Sequence, residues 1–210
     1  MTWAAALKRE WMLYHLGDPQ FRFMWDKPPE NEWVALDCET TGLNVKSDDI
    51  IAIGAVRIQG NRIMTSERLD LLVRPEKRLS ADSVRVHRLR EQDVAQGMSA
   101  DEAMMKLMHF IGSRPLVGYY LAFDVAMVNR VLFPMLGMGL PQAKIEVSAL
   151  YYDYKYRQLP QQARDSGAID LRFDSLMKDL GLPLWPAHDA LNDAVMAALA
   201  FLKLRQLQAG

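Results

Sequence analysis

The apolar residues of the chain recur at two spacings, and these lay out most of its elements. Trp3, Leu7, Trp11 and Tyr14 follow a helical interval that Gly17-Asp18-Pro19 stops, so an amphipathic helix is predicted over residues 3–16. Lys27-Pro28-Pro29-Glu30-Asn31 reads as an extended linker, which makes residues 1–31 an appendage to a domain over residues 32–210. An apolar strand begins at Trp33-Val34-Ala35-Leu36, a β-branched run covers Ile50 to Ile58, and beyond the turn Gln59-Gly60-Asn61 a third strand runs from Ile63 to Val73. These three are expected to form an antiparallel meander. Helices and strands then alternate. Ser80 can cap a short helix, and Ser99 and Glu102 have capping-box spacing before a stripe of Ala103, Met104, Leu107, Met108 and Ile111 over residues 100–112. Short strands at Pro115–Tyr119 and Lys144–Val147, with helices at Asp124–Leu136, 149–157, 171–180 and 189–207, complete the pattern. The order indicates an α/β protein with a mixed sheet, an antiparallel meander followed by parallel strands, flanked by helices. Trp3, Trp11 and Trp25 are read as packing residues in preference to a partner-binding or base-stacking surface.

Composition narrows the class without naming a chemistry. The chain has 210 residues, half of them hydrophobic, enough for a substantial core in one domain. Its formal net charge of -1 excludes the strongly basic footprint of a protein that coats nucleic acid, so any such contact should be local. A single cysteine excludes an internal disulfide framework and a cysteine-based zinc site, and it favours a reducing compartment, with the cytoplasm expected. No apolar run approaches the roughly 20 residues of a membrane span, so no membrane partner is expected.

The candidate chemistry starts where the first strand becomes acidic, at Leu36-Asp37-Cys38-Glu39-Thr40-Thr41-Gly42-Leu43. Side chains alternate along a strand, so Asp37 and Glu39 share one face and Cys38 takes the other. Two carboxylates at the end of an apolar strand repel each other and resist desolvation, which a divalent cation relieves. Oxygen ligands suit magnesium or manganese. Taken alone, Asp-x-Glu is better read as a strand followed by an acidic turn. Further carboxylates arrive later. Asp124 follows a strand at the start of a helix, where ligands bind in open α/β sheets, although for this residue alone a simple helix N-terminal charge is the better account. His188-Asp189-Ala190-Leu191-Asn192-Asp193 opens the last helix after Pro183 and Pro186. His188 and Asp193 reach one site only if His188 lies at the unwound start. Asp189 competes with Asp193 and fits better as a first-turn helix charge. His15, His87 and His109 are read as structural.

In combination, Asp37-x-Glu39-Thr-Thr-Gly-Leu, Phe123-Asp124 after a strand, and His188-x4-Asp193-Ala resemble the three motifs of the DnaQ-like DEDDh 3′ to 5′ exonuclease family, to which the proofreading exonuclease domain of bacterial DNA polymerase III belongs. The stretch Asp49-Ile-Ile-Ala-Ile-Gly-Ala-Val-Arg-Ile is similar to the second strand of such domains. The resemblance implies a ribonuclease H-like fold, two Mg2+ or Mn2+ ions held by Asp37, Glu39, Asp124 and Asp193, and His188 as general base. It also implies that Thr40, Thr41, Leu43 and Phe123 contact the terminal nucleotide. The implied substrate is single-stranded nucleic acid with a free 3′ end, DNA favoured, and the product a nucleoside 5′-monophosphate. Where the family has His-Asn, this chain has Tyr119-Tyr120, a departure that removes no ligand. Arg85, Arg88 and Arg90 fit either local attraction for the substrate or a solvated helix face. The short segment after Asp193 lacks the extension by which proofreading subunits engage a polymerase, so no polymerase association is expected. The rival readings are a haloacid dehalogenase-type phosphatase, which would carry Asp in place of Glu39 and leave His188-x4-Asp193 unexplained, and a catalytically silent nucleic-acid-binding module.

Overall fold

The computed structural model describes residues 3–161, 169–186 and 188–209. Its centre is β1 (Glu32–Thr40), paired antiparallel with β2 (Ile50–Gln59), which pairs antiparallel with β3 (Arg62–Leu72). On the other side, β4 (Leu116–Gly118) runs parallel to β1, and β5 (Lys144–Glu146) parallel to β4, giving the order β3-β2-β1-β4-β5 among the described residues. This is the mixed sheet that the strand pattern predicts. The capping box of Ser99 and Glu102 starts α4 (Ala100–Ile111), and Ser80 accepts from the Ser83 amide to start α2 (Ala81–His87), both as expected.

Each face of β1 belongs to a different core, and the alternation of side chains decides which. Val34, Leu36 and Cys38 pack with Met104, Leu107 and Met108 of α4 and with Val125 and Val128 of α5 (Leu121–Leu136). Ala35, one step out of phase, packs on the other face with Val56, Val117, Val147 and Tyr151, the last two from α6 (Val147–Gln158). Leu176 and Met177 of α7 (Phe173–Asp179) and Met196 and Phe201 of α8 (Ala190–Ala209) complete that second core. A strand buried on both faces explains why its sequence is continuously apolar rather than alternating until it turns acidic.

The approach of α8 to the sheet depends on one glycine. Gly54 of β2 lies opposite Asp37 in the ladder. A Cβ on Gly54 would stand 2.1 Å from the Ala190 carbonyl carbon and 2.2 Å from the Leu191 nitrogen. Those are backbone atoms, which cannot turn aside as a side chain does. Ala194, Ala197 and Ala198 are buried farther along the same helix, and their small side chains keep it close. Gly54→Ala is therefore expected to cost about 1–3 kcal/mol by overpacking, a fall of roughly 2–12 °C in melting temperature for a domain of this size. A melting curve within about 1 °C of wild type would mean that α8 yields without cost.

Three sequence expectations need correction. The stripe Trp3, Leu7, Trp11 and Tyr14 lies on α1 (Trp3–Tyr14) as predicted, but it faces solvent, with exposures of 51–86%. Leu13 and Leu16 are buried there, and a 3-10 turn at Pro19–Trp25, absent from the sequence reading, adds Phe21 and Met24 to the same core. Of the three tryptophans read as packing residues, only Trp25 packs against the core. A short helix α3 (Glu91–Val94) was likewise not anticipated. Finally, α5 begins at Leu121 rather than Asp124, because its amides are capped from a distant strand, as described below.

Candidate active site

The carboxyl end of β1 is where the two faces of the sheet meet in a cleft of about 280 Å3. Asp37, Glu39, Asp124, His188 and Asp193 all line it, together with Tyr119, Tyr120, Phe123 and Phe173. Asp37 and Glu39 share the face toward α8, as strand alternation requires. Asp124 comes from the first turns of α5, and its Oδ1 accepts the Cys38 amide at 3.1 Å, which ties the helix to the acidic end of the strand. At the opposite wall α8 begins at Ala190, so His188 does lie outside the helix, with φ of 66°. Its amide donates to Asp193 Oδ2 at 2.9 Å, folding the segment back so that both residues reach the cleft. Asp189 instead accepts the Asn192 amide at 2.9 Å and caps the helix. Asp193 is thus the member of the pair that lines the cleft.

Electrostatically the site is underneutralised. Burial, then the charges of Asp124, Asp193 and Glu39, hold the Asp37 carboxyl well above the usual carboxylate range. Burial first, then Asp193 and Asp189, pushes Glu39 up to about 7. Burial also raises Asp124 to about 8, against the opposing pull of the Cys38 amide, and raises Asp193. Burial followed by the charges of Asp124 and Asp37 raises the Cys38 thiol, leaving it a protonated packing residue. Asp193 Oδ1 is buried without a hydrogen-bond partner among the described residues. Ligand atoms of Glu39, His188 and Asp193 come within 4.8 Å of one another. Crowded oxygen donors that all resist ionisation, one of them orphaned, fit a hard divalent cation such as magnesium or manganese.

The remaining sequence candidates divide. Phe123 lines the cleft, while Thr40 and Thr41 use their hydroxyls to shape the loop after β1: Thr40 Oγ1 donates to the Gly42 carbonyl at 2.7 Å and Thr41 Oγ1 accepts the Asp49 amide at 2.9 Å. Leu43 is 85% exposed on that loop. Arg85, Arg88 and Arg90 are exposed on or just beyond α2, and Arg90 pairs with Asp93. His87 is structural as read, and it backs the site. Its Nδ1 accepts the Leu89 amide, so Nε2 carries the proton toward Ser83 Oγ, and Ser83 donates to the Thr40 carbonyl at 3.4 Å. Two site-building residues escaped the sequence reading. Gly54 carried a signal, since a lone glycine in a β-branched run marks a close backbone approach. Glu146 carried none: its carboxylate accepts the amides of Tyr120 at 3.0 Å and Leu121 at 2.9 Å, capping α5 from the end of β5.

Comparison with known proteins gives a family and a fold. The family model for RNase T-type exonucleases matches residues 34–201. The PolC-type DNA polymerase III of Thermotoga maritima is 27% identical over 178 residues, which is 83% of this chain and 12% of that protein. A DNA polymerase III subunit epsilon-like protein of Rhodobacter capsulatus is 31% identical over 176 residues, 82% of this chain and 23% of that protein. The chain therefore spans only a minor part of these curated relatives. Among solved structures, E. coli exonuclease I in complex with single-stranded DNA superposes with a TM-score of 0.71 at 14% identity, covering 86% of this chain and 42% of that one. Exonuclease X in complex with 5′-overhanging duplex DNA gives 0.63 at 21% identity, covering 85% and 93%. At these identities the structural likeness speaks for the ribonuclease H-like fold.

Proposed function

The chain belongs to the RNase T exonuclease family, and from that premise we propose that it removes nucleotides from the 3′ end of single-stranded nucleic acid, DNA favoured, releasing nucleoside 5′-monophosphates. The observation that carries this reading is the convergence of Asp37, Glu39, Asp124, Asp193 and His188 in one cleft. Single-stranded DNA is what exonuclease I holds in the structure sharing this fold, which supports the choice of substrate. Family membership removes the ground for a haloacid dehalogenase-type phosphatase. The one buried cysteine suits a reducing compartment, and we place the activity in the cytoplasm. Among the described residues no helix is long and apolar enough to cross a membrane.

The four carboxylates would hold two divalent cations, the orphaned Asp193 Oδ1 being among the donors. Such cations, when bound, supply charge neutralisation at the phosphate and a more acidic attacking water. His188 takes the proton of that water. It is exposed at the mouth of the cleft, where solvent can accept the proton in turn. Although its ring nitrogen lies near oxygens of Glu39 and Asp193, a hard cation prefers the carboxylates, leaving the imidazole free as a base. The aromatic walls of the cleft, rather than a basic surface, orient the strand, which reconciles the activity with a near-neutral chain.

The test presents 5′-labelled and 3′-labelled single-stranded DNA and RNA with magnesium, manganese or chelator. The expected result is a shrinking ladder from the 5′ label, immediate labelled mononucleotide from the 3′ label, and no reaction with chelator. Mononucleotide released first from the 5′ label would reverse the polarity, and cleavage unaffected by chelator would remove the cations.

A further inference from the structure

Tyr120 presents a large aromatic ring to solvent at 64% exposure, in a backbone conformation that a tyrosine rarely adopts, with φ of 54°. A non-glycine residue in the left-handed region is uncommon and strained. An exposed ring returns little burial energy to offset that strain. Yet the turn is firmly built. Glu146 accepts both the Tyr120 and Leu121 amides, and it is itself fixed by the Ser148 hydroxyl at 2.8 Å. The neighbouring Tyr119 is anchored at its tip, donating to the Leu171 carbonyl at 2.7 Å. Its ring packs against Phe173 with centroids 4.5 Å apart and meets Tyr120 edge-on at 4.7 Å and 77°. A distant carboxylate, a main-chain carbonyl and a second aromatic thus hold one ring at the lip of the acidic cleft.

We propose that Tyr120, buttressed by Tyr119 and Phe173, is a base-stacking subsite that grips a nucleobase beside the scissile bond. The proposal rests on the reading of the cleft as an exonuclease site. A flat ring fixed in advance loses little freedom on binding, and every base offers it a π face, so the grip is independent of sequence. Phosphate is not what this wall recognises, because the charged group bonded to its turn is the Glu146 carboxylate. The backbone enters on the acidic side, where cations would receive it, and the base lies against the tyrosine.

The test measures binding of 5′-fluorescent oligonucleotides by anisotropy in calcium, which separates binding from cleavage. Tyr120→Gly should weaken binding about 5- to 150-fold, the range spanned by stacking of one base on one ring. Its melting temperature should stay level or rise, because glycine adopts positive φ freely. Tyr120→Leu, bulky but without a π face, should lose affinity similarly, whereas Tyr120→Phe should bind within about threefold of wild type. An oligonucleotide made abasic near its 3′ end should, at one position, bind wild type and Tyr120→Gly equally well. Losses of equal size on intact and abasic strands at every position, or no loss in Tyr120→Gly, would overturn the stacking subsite. Failure of wild type to shorten any end-labelled strand would instead sink the exonuclease reading and leave the binding cycle intact.

Discussion

Asp37→Asn is expected to lower the cleavage rate about 10³-fold or more while making the cation-free protein more heat-stable at pH 8. Both effects have one cause. Asp37 lies among Asp124, Asp193 and Glu39, and burial with their repulsion holds its carboxyl protonated far above the usual range. Asparagine removes the negative charge that a bound cation would meet at this position, and charge stabilisation worth several kcal/mol goes with it. The stability effect follows from linkage. A carboxyl raised in the folded state binds protons that the unfolded chain releases. Its favourable contribution is complete below the ordinary carboxylate range and is lost as pH rises through the folded value. For Glu39 the window runs from 4.5 to about 7, and for Asp124 from 3.8 to about 8. The Glu39 displacement alone corresponds to about 3 kcal/mol. The melting temperature of chelated wild type should therefore fall between pH 5 and pH 8, manganese should restore it at pH 8, and Asp37→Asn should flatten the profile. A melting temperature that is level or rises over that interval without cations would refute the electrostatic account. A variant cleaving at the wild-type rate would refute the assignment of Asp37.

His188→Asn should reduce single-turnover cleavage about 10²- to 10⁴-fold, the usual contribution of a positioned base, with manganese affinity close to wild type. Asparagine is chosen because the residue sits at φ of 66°, which asparagine tolerates, so the turn that aims the backbone amide at Asp193 Oδ2 is kept. The proximity of the imidazole to Glu39 and Asp193 makes it a conceivable ligand, so both quantities must be read on the same preparation. Calorimetric titration with manganese beside a rapid-quench time course separates the cases. Parallel loss of affinity and rate makes His188 a ligand, and an unchanged rate takes it out of the mechanism.

What the sequence determined by itself was what short-range geometry fixes. The pleat of a strand places Asp37 and Glu39 on one face whatever surrounds them, and the Ser99–Glu102 box starts a helix with its own side chains. The apolar runs of β1 and β2, and the order of meander and alternation, sufficed for the mixed sheet. The acidic and histidine motifs were legible as a family pattern, and all five residues line one cleft. Tertiary structure decided everything that depends on which surfaces meet. Whether the aromatic stripe of α1 packs or faces water depends on what lies beside it in the fold, and helical periodicity is the same in both cases. Asp193 was already preferred to Asp189 in the sequence, but how it reaches the cleft came from the turn at His188 and from the approach of α8 over Gly54, two backbone events far apart in sequence. The start of α5 was set by Glu146, 25 residues beyond the Leu121 amide it caps. No local signal records such a pairing, because a carboxylate has no favoured partner until the sheet brings β5 beside β4 and turns its end toward Tyr120.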